Sequence, residues 1–162
     1  MSPKIMAWLE GSTLGHFMRD SGVWTYAVVN LTHILGVALL FGSIFVLDLR
    51  LLGVWRRVPL ADLARPTVTI AGSGLALAAM TGPGLLATKA TDYIGNPFFP
   101  IKLVAIALGI LNIAILHRLP AWKARANPDL GLSQRRQLAI AGGASLACWL
   151  TAISAGRLIA YW

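Results

Sequence analysis

Residues 24–47 read WTYAVVNLTHILGVALLFGSIFVL, a run of 24 residues without a charged side chain. An α-helix crosses the hydrocarbon core of a bilayer with about 20 mostly apolar residues. The length of this run and its lack of charge therefore predict a membrane-spanning helix. Two polar residues, Asn30 and His33, interrupt the run, and a titratable ring inside a membrane helix is a candidate functional group.

Three further apolar runs predict three more membrane-spanning helices, at residues 67–88, 101–116 and 138–161. The 162-residue chain is 57% hydrophobic and 12% charged, with a mean hydropathy of +0.70, whereas soluble domains average about 25% charged residues. The predicted fold class is therefore all-α, an integral membrane four-helix bundle forming one transmembrane domain over residues 1–162. No signal peptide is expected, because the first 22 residues lack an apolar core.

The basic residues predict an orientation. The first and third loop regions carry nine Lys or Arg residues, whereas the opposite side carries five. The positive-inside rule then places these two loops in the cytoplasm and both termini in the periplasm of a bacterial inner membrane. The net charge of +8 is explained by these loops, so no nucleic-acid partner is expected. The single cysteine, Cys148, excludes an internal disulfide and a four-thiolate metal site.

The ends of the first span carry further polar groups. Residues 5–17 mix apolar side chains such as Trp8 with polar neighbours, which fits either a short interfacial helix or a loosely structured tail. His16, in this segment, is expected to be solvated rather than a ligand. At the other end of the span, Asp48 is expected to form an interfacial salt bridge with the basic loops, with a proton-relay role as the alternative.

Small and polar residues recur at steps of three and four along each predicted span, so one face of each span is not apolar. Such faces turn toward neighbouring helices in a membrane, where small residues let backbones approach closely. The pattern predicts a tight bundle with a partly polar interior. Representative positions are Asn30, His33 and Gly36 on the first span, Gly72 and Ala76 on the second, Gly109 and Asn112 on the third, and Gly143 and Thr151 on the fourth.

His33 has two interpretations. With a rise of 1.5 Å per residue it lies roughly 14 Å from the outer end of its helix, and Met80, Asn112 and Thr151 are expected at a similar depth. In the first interpretation the ring hydrogen-bonds Asn112, Thr151 or a buried water and fixes helix packing. In the second it is an axial ligand of a b-type haem, because haem iron binds neutral imidazole and helix bundles often hold such sites.

The haem interpretation assigns roles to other residues. Met80 or His117 would be the second axial ligand, although His117 is expected about 10 Å lower than His33. Lys102 and Arg157, near the outer surface, would pair with the propionates. Glycines 36, 72 and 109 would leave room for a flat porphyrin. The predicted cofactor-binding set is His33, His117, Met80, Asn112, Lys102 and Arg157, with His33 as the metal ligand and no catalytic residue.

Four stretches carry a resemblance to known proteins: WLEGS at 8–12, THILGVALLFGSIFVLDLRLLG at 32–53, NPFFPIKLVAIALGILNIAILH at 96–117 and AGRLIAYW at 155–162. Through them the chain resembles an uncharacterised family of small bacterial four-helix inner-membrane proteins, a domain of unknown function. It is more loosely similar to four-helix b-type cytochromes and to the copper-resistance membrane family, both of which use intramembrane histidines. From the cytochromes the resemblance implies a ligand role for His33 alone.

The leading functional prediction is an electron-transfer subunit with a bound b-type haem, working with a periplasmic redox partner or a quinone. Two alternatives remain open: a non-catalytic accessory subunit that packs with other membrane subunits, and a channel or carrier for a small solute or metal ion. A self-contained enzyme is not expected, because the sequence has no hydrolase elbow, no phosphate-binding glycine loop and no metal-protease motif.

Overall fold

The computed structural model describes residues 2–127 and 129–162, and within them the chain forms seven α-helices. Short 3₁₀ turns follow the second and fourth long helices, at Ala90–Tyr93 and Ile159–Tyr161. The α-helices are α1 (Pro3–Glu10), α2 (Thr13–Asp20), α3 (Val23–Leu51), α4 (Leu60–Thr88), α5 (Phe98–Arg118), α6 (Pro120–Lys123) and α7 (Leu132–Leu158). The prediction of an all-α fold is confirmed.

Helices α3, α4, α5 and α7 are long and apolar enough to cross a membrane, which confirms the four predicted spans. Most of them extend beyond the predicted apolar runs, because helical hydrogen bonding continues into polar flanking sequence. The first turn of α4 holds Asp62, which hydropathy alone leaves outside the span. The start of α7 is fixed by Gln134, whose Oε1 accepts a hydrogen bond from the Gly131 N–H at 3.0 Å.

The four spans alternate in direction, so the molecule has two unlike ends. The terminal end carries both chain termini with α1, α2 and the two 3₁₀ turns, and the arginine end carries α6 and the loops before α4 and α7. Helix α3 packs along α4, α7 packs along α5, and α3 and α7 contact each other at the centre. At the arginine end all four spans share one apolar core, which includes Leu51, Leu60, Leu116, Trp122 and Leu138.

Helices α3 and α4 approach so closely that their backbones touch at two glycines. A Cβ placed on Gly74 would lie 2.4 Å from the Leu40 nitrogen and 2.6 Å from the Gly36 oxygen. A Cβ on Gly36 would lie 2.9 Å from the Gly74 oxygen. Only glycine at both positions permits this approach, which is the way small residues pack membrane helices.

The N-terminal segment forms two helices that lie against the terminal end of α4, so the alternative of a loose tail is wrong. The break falls at Gly11 and Ser12, and the Ser12 hydroxyl caps α2 by accepting a hydrogen bond from the Gly15 N–H at 3.2 Å. Arg19, at the end of α2, donates to the Ala87 oxygen at 3.4 Å and the Thr88 oxygen at 3.3 Å. The guanidinium thereby satisfies carbonyls that the end of α4 leaves unpaired.

Glu10 joins α1 to the turn after α4. Its Oε2 accepts hydrogen bonds from the Thr91 N–H at 2.8 Å and from the Thr91 hydroxyl at 2.6 Å. These two bonds, with Arg19 and Lys89 nearby, hold the pKa of the Glu10 carboxyl below its ordinary value. The first helix is therefore attached to the segment between α4 and α5, 81 residues further along the chain.

Exposed aromatic side chains mark both ends of the bundle. Trp8, Trp24 and Trp162 are exposed at the terminal end, and Trp55 is exposed at the arginine end. Tryptophan favours the interface between lipid and water, where its ring is in contact with both. Between these two levels the outward-facing side chains are largely apolar. This distribution supports a multi-pass membrane protein whose lipid-facing surface lies between the two aromatic levels.

Candidate functional site

His33 lies on α3 in the half of the bundle near the terminal end, and it faces α4. Its Nδ1 is 2.9 Å from the hydroxyl oxygen of Thr81. The imidazole is half-buried, and Gly82 leaves space for it, because a Cβ there would lie 3.4 Å from the ring carbon Cε1. Thr81 is seven residues from the end of α4, roughly 10 Å along the helix axis.

The hydrogen bonds of Thr81 fix the tautomer of the His33 ring. The Thr81 hydroxyl donates its one hydrogen to the Leu77 carbonyl oxygen at 2.7 Å. It therefore acts as an acceptor toward His33, so the proton of the neutral ring is on Nδ1 and Nε2 keeps its lone pair. In metal sites a histidine that binds the metal through one nitrogen commonly donates from the other nitrogen to such an oxygen.

Lys102 lies on α5 in the same half of the bundle as His33, because both residues are nearer to the terminal end of their helices than to the arginine end. Its side chain runs along α7, where a Cβ placed on Gly156 would lie 3.5 Å from Lys102 Nζ. No carboxylate lies within 4.0 Å of Lys102 among the residues that the structure describes.

Arg157 follows Gly156 and reaches the surface of the terminal end. Its guanidinium donates a hydrogen bond to the Tyr161 hydroxyl and lies over the Tyr161 ring, with 4.8 Å between Cζ and the ring centroid. A cation held on an aromatic ring at this level is typical of the lipid–water interface. Its predicted role as a propionate partner is not tested by these contacts and stays a prediction.

The remaining predicted ligands lie away from His33. The Met80 side chain is 79% exposed on the outer face of α4. Asn112 donates from Nδ2 to the Ala141 oxygen at 3.0 Å and so joins α5 to α7. His117 is exposed at the arginine end, where its Nδ1 is 2.9 Å from the Ile113 oxygen.

The partner of His33 is Thr81, and neither Asn112 nor the exposed Thr151 takes that place.

The surroundings of His33 fit a haem in one respect. A neutral imidazole with a free Nε2 is suited to one axial position. The expected room for a porphyrin is wrong at two of the three glycines, because the α4 backbone fills the space at Gly36 and the Trp149 ring fills it at Gly109. Gly72 lies on the exposed face of α4. Within residues 2–127 and 129–162, no three His, Cys, Asp or Glu side chains form a possible metal site.

A second polar group lies near the other end of α3. Asp48 is only 2% exposed and faces α7, where a Cβ on Gly142 would lie 3.1 Å from the Asp48 carbonyl oxygen. Ser145 of α7 is also buried, and Asp48 Oδ2 finds no hydrogen-bond donor in the described part of the chain. The predicted interfacial salt bridge is therefore wrong, because position 48 shares the buried face of Ile44 and Leu47.

Sequence analysis missed Thr81 as the partner of His33. Thr81 precedes the glycine and proline of TGPG at residues 81–84, and this small polar cluster in an apolar helix was an available signal. Periodicity alone does not give the partner, since it places a residue on a face but does not align one helix with another.

Comparison with known proteins gives one family. The model of a family of unknown function (DUF6644) matches residues 5–162. Neither the curated proteins nor the solved structures gave a significant match. The matched range includes α3, α4, α5 and α7 together with His33, Thr81 and Lys102. The likeness to an uncharacterised membrane family expected from the sequence is confirmed, and the chain belongs to this family of unknown function.

Proposed function

We propose that the protein is an electron-transfer subunit of a membrane, and that His33 and Lys102 bind the head group of a quinone. The observation that carries the proposal is a histidine whose Nδ1 is held by the Thr81 oxygen on α4. Lys102, in the same half of the bundle, has no carboxylate partner among the described residues. A bound quinone would supply a couple of two electrons and two protons, with the electrons exchanged with a separate redox subunit.

His33 would accept a hydrogen bond at Nε2 from a quinol hydroxyl and take its proton during oxidation. The Thr81 oxygen supports this step, because the positive charge that develops on the ring is shared with the Nδ1–H that Thr81 already accepts. The half-buried position of the ring gives it access to a molecule dissolved in the bilayer.

Lys102 would donate a hydrogen bond to a quinone oxygen and stabilise negative charge on it. A charge-assisted hydrogen bond is stronger than a neutral one, and more so where water is scarce. The long side chain lies along Gly156, so the ammonium group is positioned by packing rather than by an opposing carboxylate.

Binding of a short-chain quinone to the purified protein in nanodiscs tests the proposal. We expect His33→Ala and Lys102→Met each to weaken binding about tenfold. The matched controls are His117→Ala and Lys123→Met, at the arginine end, which leave binding unchanged. Equal affinity in all four variants, or no binding to the unaltered protein, would refute the quinone site.

A b-type haem at His33 is the second candidate, favoured by the free Nε2 of an oriented neutral ring. Of the predicted ligand set, His33 alone has the surroundings of an axial ligand, so the second axial position would be filled from outside that set. The absorption spectrum distinguishes the candidates: a Soret band that disappears in His33→Ala and persists in His117→Ala supports haem.

A colourless protein that binds no quinone and co-purifies with stoichiometric subunits supports an accessory role.

The same proposal orients the protein in a bacterial inner membrane, with the arginine end in the cytoplasm. Nine basic residues against five support this orientation through the positive-inside rule. Reporter fusions at Trp162 and within the loop after α6 test it. We expect activity of a periplasmic reporter at the C-terminus and of a cytoplasmic reporter in the loop, and the reverse pattern would contradict the orientation.

A further inference from the structure

We infer that the arginine end holds a binding site for the phosphate group of an anionic phospholipid. A groove of about 440 Å³ lies between the loop before α4 and the start of α7. Six of its lining residues are arginines, and none of the lining residues that the structure describes is acidic. The six, here called the groove arginines, are Arg50, Arg56, Arg57, Arg125, Arg135 and Arg136.

The groove arginines come from three separate segments of the chain. Arg50 ends α3, Arg125 follows α6, and Arg135 lies in the first turn of α7. Arg50 donates from Nη2 to the Arg56 oxygen at 3.4 Å, and Arg135 lines the same groove. Convergence of like charges from distant segments is unfavourable unless an anion compensates them. General positive charge in cytoplasmic loops does not require such convergence.

Backbone carbonyls hold four of the six guanidinium groups in place. Arg50 donates from Nε to the Val58 oxygen at 2.8 Å, and Arg135 donates from Nε to the Leu130 oxygen at 2.8 Å. In the same way Arg56 binds Gly53 at 3.2 Å, and Arg125 binds Trp122 at 2.9 Å. Each group is thus oriented by part of its donors and keeps other N–H groups, which is the condition for forked binding to phosphate oxygens.

The source of the phosphate follows from the rest of the lining. Leu51, Leu52, Leu60, Leu130 and Leu138 line the same groove as the arginines, so a charged surface adjoins an apolar one at the end of the membrane helices. An inorganic phosphate ion gains nothing from apolar contacts, whereas the acyl chains of a phospholipid can pack against these leucines. Basic pockets between membrane helices are known to bind anionic lipid head groups.

Lipid retention in native mass spectrometry tests this inference. The protein in detergent is titrated with phosphatidylglycerol, with phosphatidylcholine and with inorganic pyrophosphate. We expect about tenfold tighter binding of phosphatidylglycerol than of phosphatidylcholine, and no competition by pyrophosphate at matched concentration. Retention of both lipids alike would overturn the inference, and displacement of the lipid by pyrophosphate would assign the groove to a soluble phosphate instead.

Two variants with the same charge change separate the groove from general surface charge. Arg57→Gln with Arg136→Gln removes two groove arginines and leaves the four carbonyl-bound ones intact. Arg65→Gln with Arg118→Gln removes two basic residues at the same end but outside this groove. We expect the first pair to lose about tenfold in phosphatidylglycerol affinity and the second to keep it.

Equal loss in both pairs would overturn the inference in favour of surface charge alone. The double variant Arg57→Lys with Arg136→Lys keeps the charge but lacks the planar guanidinium, and we expect it to retain only part of the affinity. Circular dichroism checks that each variant is folded. If a variant does not fold, the comparison of the two lipids on the unaltered protein still tests the inference.

Discussion

The two halves of the bundle use their polar groups differently. Near the arginine end, the Asn112 amide binds the Ala141 oxygen, and Asp48 lies against Gly142 with 2% of its surface exposed. Near the terminal end, His33 is fixed through one nitrogen, and Lys102 has no carboxylate partner among the described residues. The first half keeps its polar groups between packed helices, where Asp48 Oδ2 has no donor among the described residues. In the second half His33 and Lys102 are only half-buried, so a ligand can reach them. Accessibility, rather than polarity, identifies the candidate site.

The glycine contact between α3 and α4 supports both halves, and its loss gives the largest expected effect. Gly74→Ala places a Cβ against the α3 backbone, so we expect a loss of about 3 kcal/mol of stability. Gly72→Ala is the control, because nothing lies within 4 Å of that position. Thermal unfolding in detergent measures both, and equal stability of the two variants would show that the helices do not touch here.

Thr81→Val tests whether the terminal half depends on an oriented histidine. The variant keeps the shape of the side chain but leaves the His33 Nδ1–H without its acceptor, and we expect a loss of about 2 kcal/mol. Nitrogen NMR of labelled histidine would report a mixture of tautomers. Thr69→Val is the control, because the Thr69 hydroxyl donates to the Arg65 oxygen of its own helix and does not contact His33. An unchanged His33 spectrum in Thr81→Val would contradict the assignment.

Asp48→Asn tests whether the arginine half merely tolerates its buried carboxylate. Removal of a buried charge that lacks a cation relieves the desolvation penalty, so we expect a gain of about 1 kcal/mol at pH 8. Asp129→Asn, exposed in the loop before α7 at the same end, serves as the control and leaves stability unchanged. A loss of stability in Asp48→Asn would mean that the charge has a function and that the comparison between the halves is incomplete.

The smallest effect concerns Glu10 and depends on pH. Its pKa is lowered in the folded protein from the ordinary 4.5, so its stabilising contribution is fully present above pH 4.5 and is lost as the pH falls through the folded pKa. Unfolding midpoints between pH 7 and pH 3 should fall less steeply in Glu10→Gln. Asp92→Asn, exposed in the adjoining turn, is the control. Parallel curves for Glu10→Gln and the unaltered protein would remove the proposed role of the two Thr91 hydrogen bonds.

The sequence was sufficient for the fold, because the fold follows from hydropathy and length. Four apolar runs became four helices, and the small-residue pattern at Gly36 predicted close packing correctly. The same glycine was wrongly given to a porphyrin, because a missing side chain looks the same in a sequence whether a cofactor or a backbone fills the space. The structure shows that Gly74 of α4 fills it.

The surroundings of the candidate site were predicted only in part, because they depend on how the helices are arranged. His33 was singled out by its type and depth, but its partner was expected to be Asn112, Thr151 or a buried water, whereas Thr81 takes that place. Thr81 belongs to α4 and Asn112 to α5, and no sequence period determines which of the other helices the His33 face packs against. Asp48 was misplaced in the same way, since whether it faces water or α7 depends on how far α3 rotates.

The hydrogen bonds between Glu10 and Thr91 have a consequence for biosynthesis. Residue 91 is synthesised only after α3 and α4, so the surface that binds α1 does not exist when α1 is made. Docking of the two N-terminal helices must therefore follow the synthesis of the first hairpin. A bulky tag fused before Pro3 would delay this last docking step without affecting the insertion of the hairpin itself.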